Sequence, residues 1–577
     1  MLAAADTYVV VLALTDMMAG VGLGIESLQK ATPIISGFLL GYVCVLPLIG
    51  RLADLVARQR VLLGCLAIFV VGSAITALAV DLPVLVGGRF LQGIGGGGLV
   101  PATLALVADL WPAERRGTPL GVVGAVQELG AVLGPVIGAV ILSLAGWRAI
   151  FWFNAALGVL LYAVIRLLGA GAGAAPAPAP GTAAAPGTAA DPGTVADPGT
   201  APDPAAVGRP VGSLRWVGST LVVLAAVLGG LTLSAPERLA TDVTLGIPFV
   251  PFVGESRVLT PVGTATAVVL LVLALVTARR WWPVLRRADP TGAALVAVAL
   301  GGLVLTFASS NPEREVVGPL GLVLLPVSVL ALVLYLWRHR VARNPVIPRG
   351  VVRGRAAVAF TVSLLVGAAL VAVIVDVPLL ARLTVTGSQT AAALVLVRFL
   401  VAVPAGALLG GWLLRRFGPG LVAGVGLSGA ALGMLVMAGW GKGSLAAVTS
   451  STAVLLLVGL GLGLALAPVN AAALEDSDRQ AHGVVSALVV VARTVGMVVG
   501  LALLTAIGLR RYYLSVALLP DQSDPRALLD TAIVQVQTVF AGGAVAAMGA
   551  AVMALALGLR RRATPPPPPT EVPNLSS

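Results

Sequence analysis

The chain has 577 residues, of which 58% are apolar and 11% charged, and its mean hydropathy is +1.01. A soluble domain carries about 25% charged residues, and a single aqueous core stops growing at roughly 250–300 residues. The composition therefore excludes a cytosolic enzyme and, over most of the length, a disordered regulator. The net charge of +12 would suggest nucleic acid in a soluble chain. Here the basic residues sit in short loops between apolar runs, where they set membrane topology, and no nucleic-acid partner is expected. Cys44 and Cys65 lie within apolar runs, so neither a disulfide framework nor a metal site is indicated. The first apolar run carries Asp6 and lacks a basic leader, which argues against a cleavable signal peptide.

About 20 mainly apolar residues cross the ~30 Å hydrocarbon core as a helix. The runs between charged or proline-rich breaks place spans near 1–21, 32–50, 61–80, 84–109, 119–145 and 149–168. Four more follow near 215–233, 262–279, 291–309 and 319–337, and six near 355–375, 391–414, 420–439, 449–470, 483–507 and 533–558. The expected fold class is an all-α polytopic membrane protein of about sixteen spans. An even number puts both termini on one side. With the termini inside, inner loops hold more than twice as many arginines and lysines as outer ones, the sense of the positive-inside bias.

Residues 169–214 form a Pro/Gly/Ala repeat (APAPAPGTAAAPGTAADPGT) that cannot bury a core and reads as a flexible linker. It follows a six-helix unit, 1–168. Residues 215–345 read as inserted helices, 346–562 as a second six-helix unit, and the proline-rich tail 563–577 as disordered. Within the insert, 216–233 with 262–278 resembles 290–305 with 320–337, each pair ending in a basic run, ARRWWPVLRRAD or WRHRVARNP. Two outer loops are long. Residues 508–532 are partly apolar, so their flanking helices are expected to extend above the membrane or to lie at the interface. Residues 234–261 alternate apolar and polar positions, as in a short hairpin.

Three stretches carry chemistry. In GRLADLVARQR (50–60), Gly50 permits close backbone approach, Asp54 caps or pairs near a helix end, and Arg58 supplies counter-charge; a positive-inside loop alone would also explain the arginines. In GRFLQGIGGGG (88–98), Arg89 and Gln92 share a helix face. A charge at membrane depth costs ~2.5–3.5 kcal/mol, so Arg89 needs a partner or a water-filled cavity. In QELGAVLGPVIG (127–138), Gly130, Gly134 and Gly138 recur every fourth residue for close helix contact, and Pro135 bends the helix beside Glu128.

In order and placement these stretches resemble the motifs of the major facilitator superfamily, in particular its drug:proton antiporter branch with extra central helices. Trp147-Arg148 with Phe151 and Asn154 is similar to the start of the family's sixth helix. ADTYVVV (5–11), VDVPL (375–379) and AHGVVSALVVVARTVGM (481–497) resemble the actinobacterial triacylglyceride exporters. The likeness covers roughly 1–168 and 319–560. It departs in having four inserted helices where the branch usually has two, and only five residues ahead of Asp6. Those five are too few for the inner half of a first helix, so either the start is misassigned or that helix is short.

The resemblance implies two six-helix bundles around a cavity and a proton-coupled exporter of lipid or other hydrophobic compounds, working by alternating access in the plasma membrane. Both termini would be cytoplasmic. Asp6 and Glu128 would take up the proton and Arg493 would pair with them, the three meeting across the cavity. A static ion pair that orients the helices is the plainer alternative. No cofactor is implied beyond the proton gradient, and no catalytic residue. The expected partners are the lipid, the membrane and a periplasmic lipoprotein, with the transporter monomeric. A general multidrug:proton antiporter and a non-transporting scaffold or sensor are the competing functions. Asp16, Asp376 and Arg398 are ambiguous and are not expected to act in transport.

Overall fold

Hydrocarbon offers no water to satisfy backbone N–H and C=O groups, so apolar stretches of this length can cross it only as helices that bond internally. A computed structural model describes residues 2–22, 28–112, 115–171, 260–308, 320–385, 389–522 and 524–558, with scattered positions between 220 and 252. Fifteen long helices and no strand are found among the described residues. They are α1 (Leu2–Gly20), α2 (Leu28–Leu55), α3 (Arg58–Leu78), α4 (Leu82–Leu110), α5 (Gly117–Ala145), α6 (Trp147–Gly171), α7 (Pro261–Arg287), α8 (Pro290–Ala308) and α9 (Gly321–Val341). The rest are α10 (Gly354–Thr384), α11 (Gln389–Leu413), α12 (Pro419–Met437), α13 (Val448–Glu475), α14 (His482–Ala517) and α15 (Pro525–Leu555).

Thirteen stretches among the described residues are long and apolar enough to span a membrane. Fifteen of the expected spans coincide with these helices, and the described residues of the remaining one, 215–233, include a helical turn at 227–232. The linker expected at 169–214 lies outside the described residues beyond the end of α6, as do the tail 563–577 and most of 234–261.

Helix ends follow local chemistry. The Asp81 carboxylate accepts a hydrogen bond from the Val84 N–H at 2.9 Å and caps α4, and Asp524 does the same for α15 through the Arg526 N–H. Gly146, at φ 75°, closes α5 in a backbone conformation that residues with a side chain rarely adopt. The clearest difference from expectation concerns length. α14 has 36 residues and α15 has 31, about 54 Å and 46 Å at 1.5 Å per residue, against a ~30 Å core. Hydropathy marks only the hydrocarbon edge, whereas α14 continues to Ala517 and α15 begins at Pro525, so helix occupies most of 508–532.

The helices fall into two units by contact, residues 1–160 with 284–577 and residues 161–283. Within the second unit, the Thr232 and Thr266 hydroxyls lie 3.0 Å apart. Within the first, α1–α5 pack on one another, with α4 laid against both α2 and α3, while α10 packs on α14 and α15, and α11 and α12 on α13. The α8–α9 hairpin packs on α2, and Asp289 ties it by accepting from the Gly292 N–H at 3.1 Å and from Arg338 at 2.7 Å.

Glycine sets the distances. A methyl group at Gly134 would lie 2.6 Å from the Ala5 carbonyl oxygen, and one at Gly138 would lie 2.7 Å from Val9, so the expected stripe is where α5 meets α1. Gly130 is buried on the same helix, and the Pro135 side chain lies outside the described residues. Gly134→Ala should therefore lower stability by about 1–3 kcal/mol through overpacking. Gly64→Ala, at a position open to its surroundings, should not. Thermal unfolding of both variants in detergent checks this.

Candidate functional site

Asp6 on α1 is fully buried. An isolated carboxylate there would be prohibitive, and the fold surrounds it with donors. Arg89 forms an ion pair with Oδ2, the Gln92 amide donates to Oδ1 at 3.0 Å, and the Asn154 amide donates to Oδ1 at 2.7 Å. Arg89 also donates to the Gln92 side-chain oxygen at 2.6 Å and lies over the Phe38 ring, 4.5 Å from its centroid. Gln92 donates onward to the Ser73 hydroxyl at 2.9 Å. One carboxylate thus organises polar groups from α1, α3, α4 and α6, with the aromatic face of α2 closing the site. The three-residue spacing of Arg89 and Gln92 puts both on one face of α4, as expected.

Glu128 and Arg493 form a separate pair. The Arg493 guanidinium donates to Glu128 Oε1 at 3.1 Å, and both side chains keep some exposure, 13% for the acid and 17% for the arginine. Each residue lies eleven positions from the start of its helix, about 16 Å along α5 and α14. The expectation that Asp6 shares this pairing is corrected. Arg89 takes Asp6 instead, and the amides of Gln92 and Asn154 occupy its other oxygen.

Arg493 also lines a cavity walled by α4, α5, α10, α13 and α14. Leu104, Val366, Leu466, Val489 and Val490 are among its apolar lining, while Gln127, Ser363 and Asn470 supply neutral polar groups. Asn470 already donates to the Leu466 carbonyl at 2.9 Å. The cavity is thus greasy, with few polar groups, and one charged pair bears on it.

A third constellation lies at the end of the molecule that holds the α2–α3 turn. The buried Asp54 carboxylate accepts from the N–H groups of Gly483 at 2.7 Å and Val484 at 3.1 Å, so it caps the N-terminus of α14 from another helix. Those amides carry the positive end of the α14 dipole and favour an anion. Arg58 pairs with Asp109 at 2.6 Å and lies 3.9 Å from Asp54. Gly50 makes this approach possible, because a methyl group there would sit 2.7 Å from the Gly483 carbonyl oxygen. At the same end α5 meets α11, where a methyl group at Gly117 would lie 2.7 Å from the Gly411 carbonyl. Both contacts join the first group of helices to the last, so this end of the cavity is closed.

Sequence reasoning on spacing alone misses Asn154, Ser73 and Asp109 as partners, since none stands in a patterned stretch with the residue it serves. It also misses the amides of Gly483 and Val484, which have no side-chain signature. Asp16 is exposed, and Arg398 donates to the Ser451 hydroxyl at 3.4 Å. Breaking a buried ion pair from one side costs about 3–5 kcal/mol, since the other charge is left stranded. Asp6→Ala should therefore destabilise the protein by several kcal/mol and Glu128→Ala by clearly less, as read from thermal unfolding in detergent.

Comparison with known proteins places these features in context. The family described as Major Facilitator Superfamily matches residues 1–317 and 290–501. A triacylglyceride transporter of Mycobacteroides abscessus is 34% identical over 523 residues, covering 89% of this chain and 81% of that protein. One from Mycobacterium tuberculosis is 32% identical over 544 residues, 92% of this chain and 84% of that protein. Among solved structures, the human organic anion transporter MFSD10 overlays with a TM-score of 0.52 at 14% identity, covering 96% of both chains. A double-tryptophan mutant of XylE overlays with a TM-score of 0.51 at 12% identity, covering 98% of this chain and 94% of that one. These two likenesses concern the fold alone.

Proposed function

The chain belongs to the major facilitator superfamily, and on that premise we propose that it is a proton-coupled exporter of triacylglyceride-like lipid working by alternating access. The observation that carries the reading is the Glu128–Arg493 pair, which joins a helix of the first bundle to one of the last. Its arginine lines an apolar cavity. Superfamily membership makes the protein a multi-pass membrane transporter, and the identity to triacylglyceride transporters supports the choice of cargo.

The cycle follows from electrostatics. With Glu128 ionised, its attraction for Arg493 holds α5 to α14 while Asp54 clamps the α2 end onto α14. A proton arriving from the open side neutralises Glu128, leaves Arg493 without its counter-charge, and removes one tie between the bundles. The clamp is then supported by fewer cross-bundle contacts and can open, exposing the cavity to the cytoplasm. Lipid enters, Glu128 loses its proton inward, and the pair re-forms as the inner end closes. Each charge crossing the field contributes ~2.3 kcal/mol per 100 mV, enough to bias the exchange. Asp6 plays the static part in this scheme, since its donors all come from its own bundle.

The loop charges support a plasma-membrane protein with both termini in the cytoplasm, and the Asp54 clamp is then cytoplasmic. The α14 and α15 extensions would rise on the periplasmic side, where a lipoprotein could accept the cargo. A monomer suffices, since both halves of the cavity come from one chain. The proton gradient replaces any cofactor. In vesicles with an imposed pH gradient, the natural chain should move a fluorescent triacylglyceride and Glu128→Gln should lose that transport by about tenfold or more. Equal transport by both would exclude Glu128 as the proton carrier. Movement of cationic dyes without lipid would favour a general drug antiporter. In the same assay Asp54→Ala should slow transport several-fold by loosening the inner clamp.

A further inference from the structure

The first helices of the two bundles, α1 and α10, each bury one carboxyl group, and the two are treated very differently. Asp6 receives hydrogen bonds from three side chains. Asp376 on α10 is only 3% exposed, and its Oδ2 has no hydrogen-bond partner. The residues around it are Val373, Val377 and Leu380 on its own helix, all buried, with Ala372 one turn away lying against Gly543 of α15.

The elements packed against α10 carry no answering charge. Between Val448 and Leu474, α13 has no ionisable side chain, and neither has α12. On α11 the sole ionisable group, Arg398, is bonded to Ser451. On α14, Arg493 is paired with Glu128, and Arg510 and Arg511 are exposed. On α15, Asp530 is paired with Lys442 and Arg526 is exposed. A carboxylate anion in such a place would be a stranded charge, for which the effective penalty is several kcal/mol.

We propose that Asp376 is a second proton-binding site, in the C-terminal bundle, occupied by a proton in this conformation and emptied in another stage of the transport cycle. The step is –COO⁻ + H⁺ → –COOH, which takes the side chain from one negative charge to none and so permits its burial. Asp376 lies eight residues from the end of α10 at Thr384, about 12 Å, on the side away from the Asp54 clamp. It is therefore reached from the end opposite the clamp. In the arrangement seen here the carboxyl is almost wholly buried. Return of its proton requires a rearrangement of α10 against α14 and α15 that lets water or a cation reach it. Binding there and exchange at Glu128 would then be two separate titrations, one in each bundle. The inference rests on the transport reading above, but its first test does not depend on transport.

Infrared difference spectra of the full chain in lipid, taken at neutral pH, should show the carbonyl stretch of a protonated carboxylic acid. That band should lose intensity in Asp376→Asn and keep it in Glu128→Gln. Absence of such a band from the natural chain, or its undiminished intensity in Asp376→Asn, would overturn the proposal. The measurement on the natural chain needs no variant and stands even if the substitution impairs folding. In vesicles, Asp376→Asn should keep energy-independent lipid exchange and lose gradient-driven accumulation about tenfold. Undiminished accumulation in Asp376→Asn, with Glu128→Gln inactive, would make Asp376 a fixed neutral group and refute its exchange. If Glu128→Gln were also fully active, the transport reading itself would be the part that failed.

Discussion

A charge buried among hydrocarbon must bring its counter-charge or its proton with it, and most of this molecule can be read as the consequence. The Glu128–Arg493 pair meets the requirement across two bundles rather than within one. That choice has a structural cost and a functional return. An ion pair inside one bundle fixes that bundle, as Asp6 and Arg89 do. An ion pair between bundles makes their relative position depend on whether a single carboxyl group is charged.

The other cross-bundle contacts are built to be reversible. Asp54 holds the N-terminus of α14 by two hydrogen bonds to backbone amides, while Leu46, Leu104 and Leu120 of the first bundle share a buried apolar cluster with Leu466 and Val489 of the last. Gly50, Gly117 and Gly411 bring backbones close but interlock little. Interfaces of this kind are held by van der Waals contact and a few polar bonds, so a change of one charge can tip them. The core of each bundle is different: buried side chains such as Phe69, Phe151, Phe399 and Phe540 are fully sealed within it.

Much of the fold was legible because the solvent enforces it. In lipid, a run of apolar residues has one way to bond its backbone, so α3, α4 and α12 coincide with their expected spans to within a few residues. The glycine stripe of α5 was legible too, since a four-residue repeat of the smallest side chain has few uses other than close contact. Helix length was not, because hydropathy falls to ordinary values in YYLSVALLPDQSDP while α14 runs on to Ala517. Partner choice was the least legible part. Asp6, Glu128 and Arg493 were all identified as costly charges, but which acid meets which base depends on helix rotation. Arg89 and Asn154 settle that for Asp6, and no one-dimensional spacing connects residues 6, 89 and 154.

The account turns on Glu128 holding the inner end closed only while it is charged. Pulsed electron-spin distance measurement between labels at Arg60 and Gln480, both exposed at that end, tests this directly in a chain whose Cys44 and Cys65 are replaced by alanine. Glu128→Gln at neutral pH should shift the distances to the longer population that the natural chain shows only in acid. Identical distance distributions for the two chains across the pH range would contradict it.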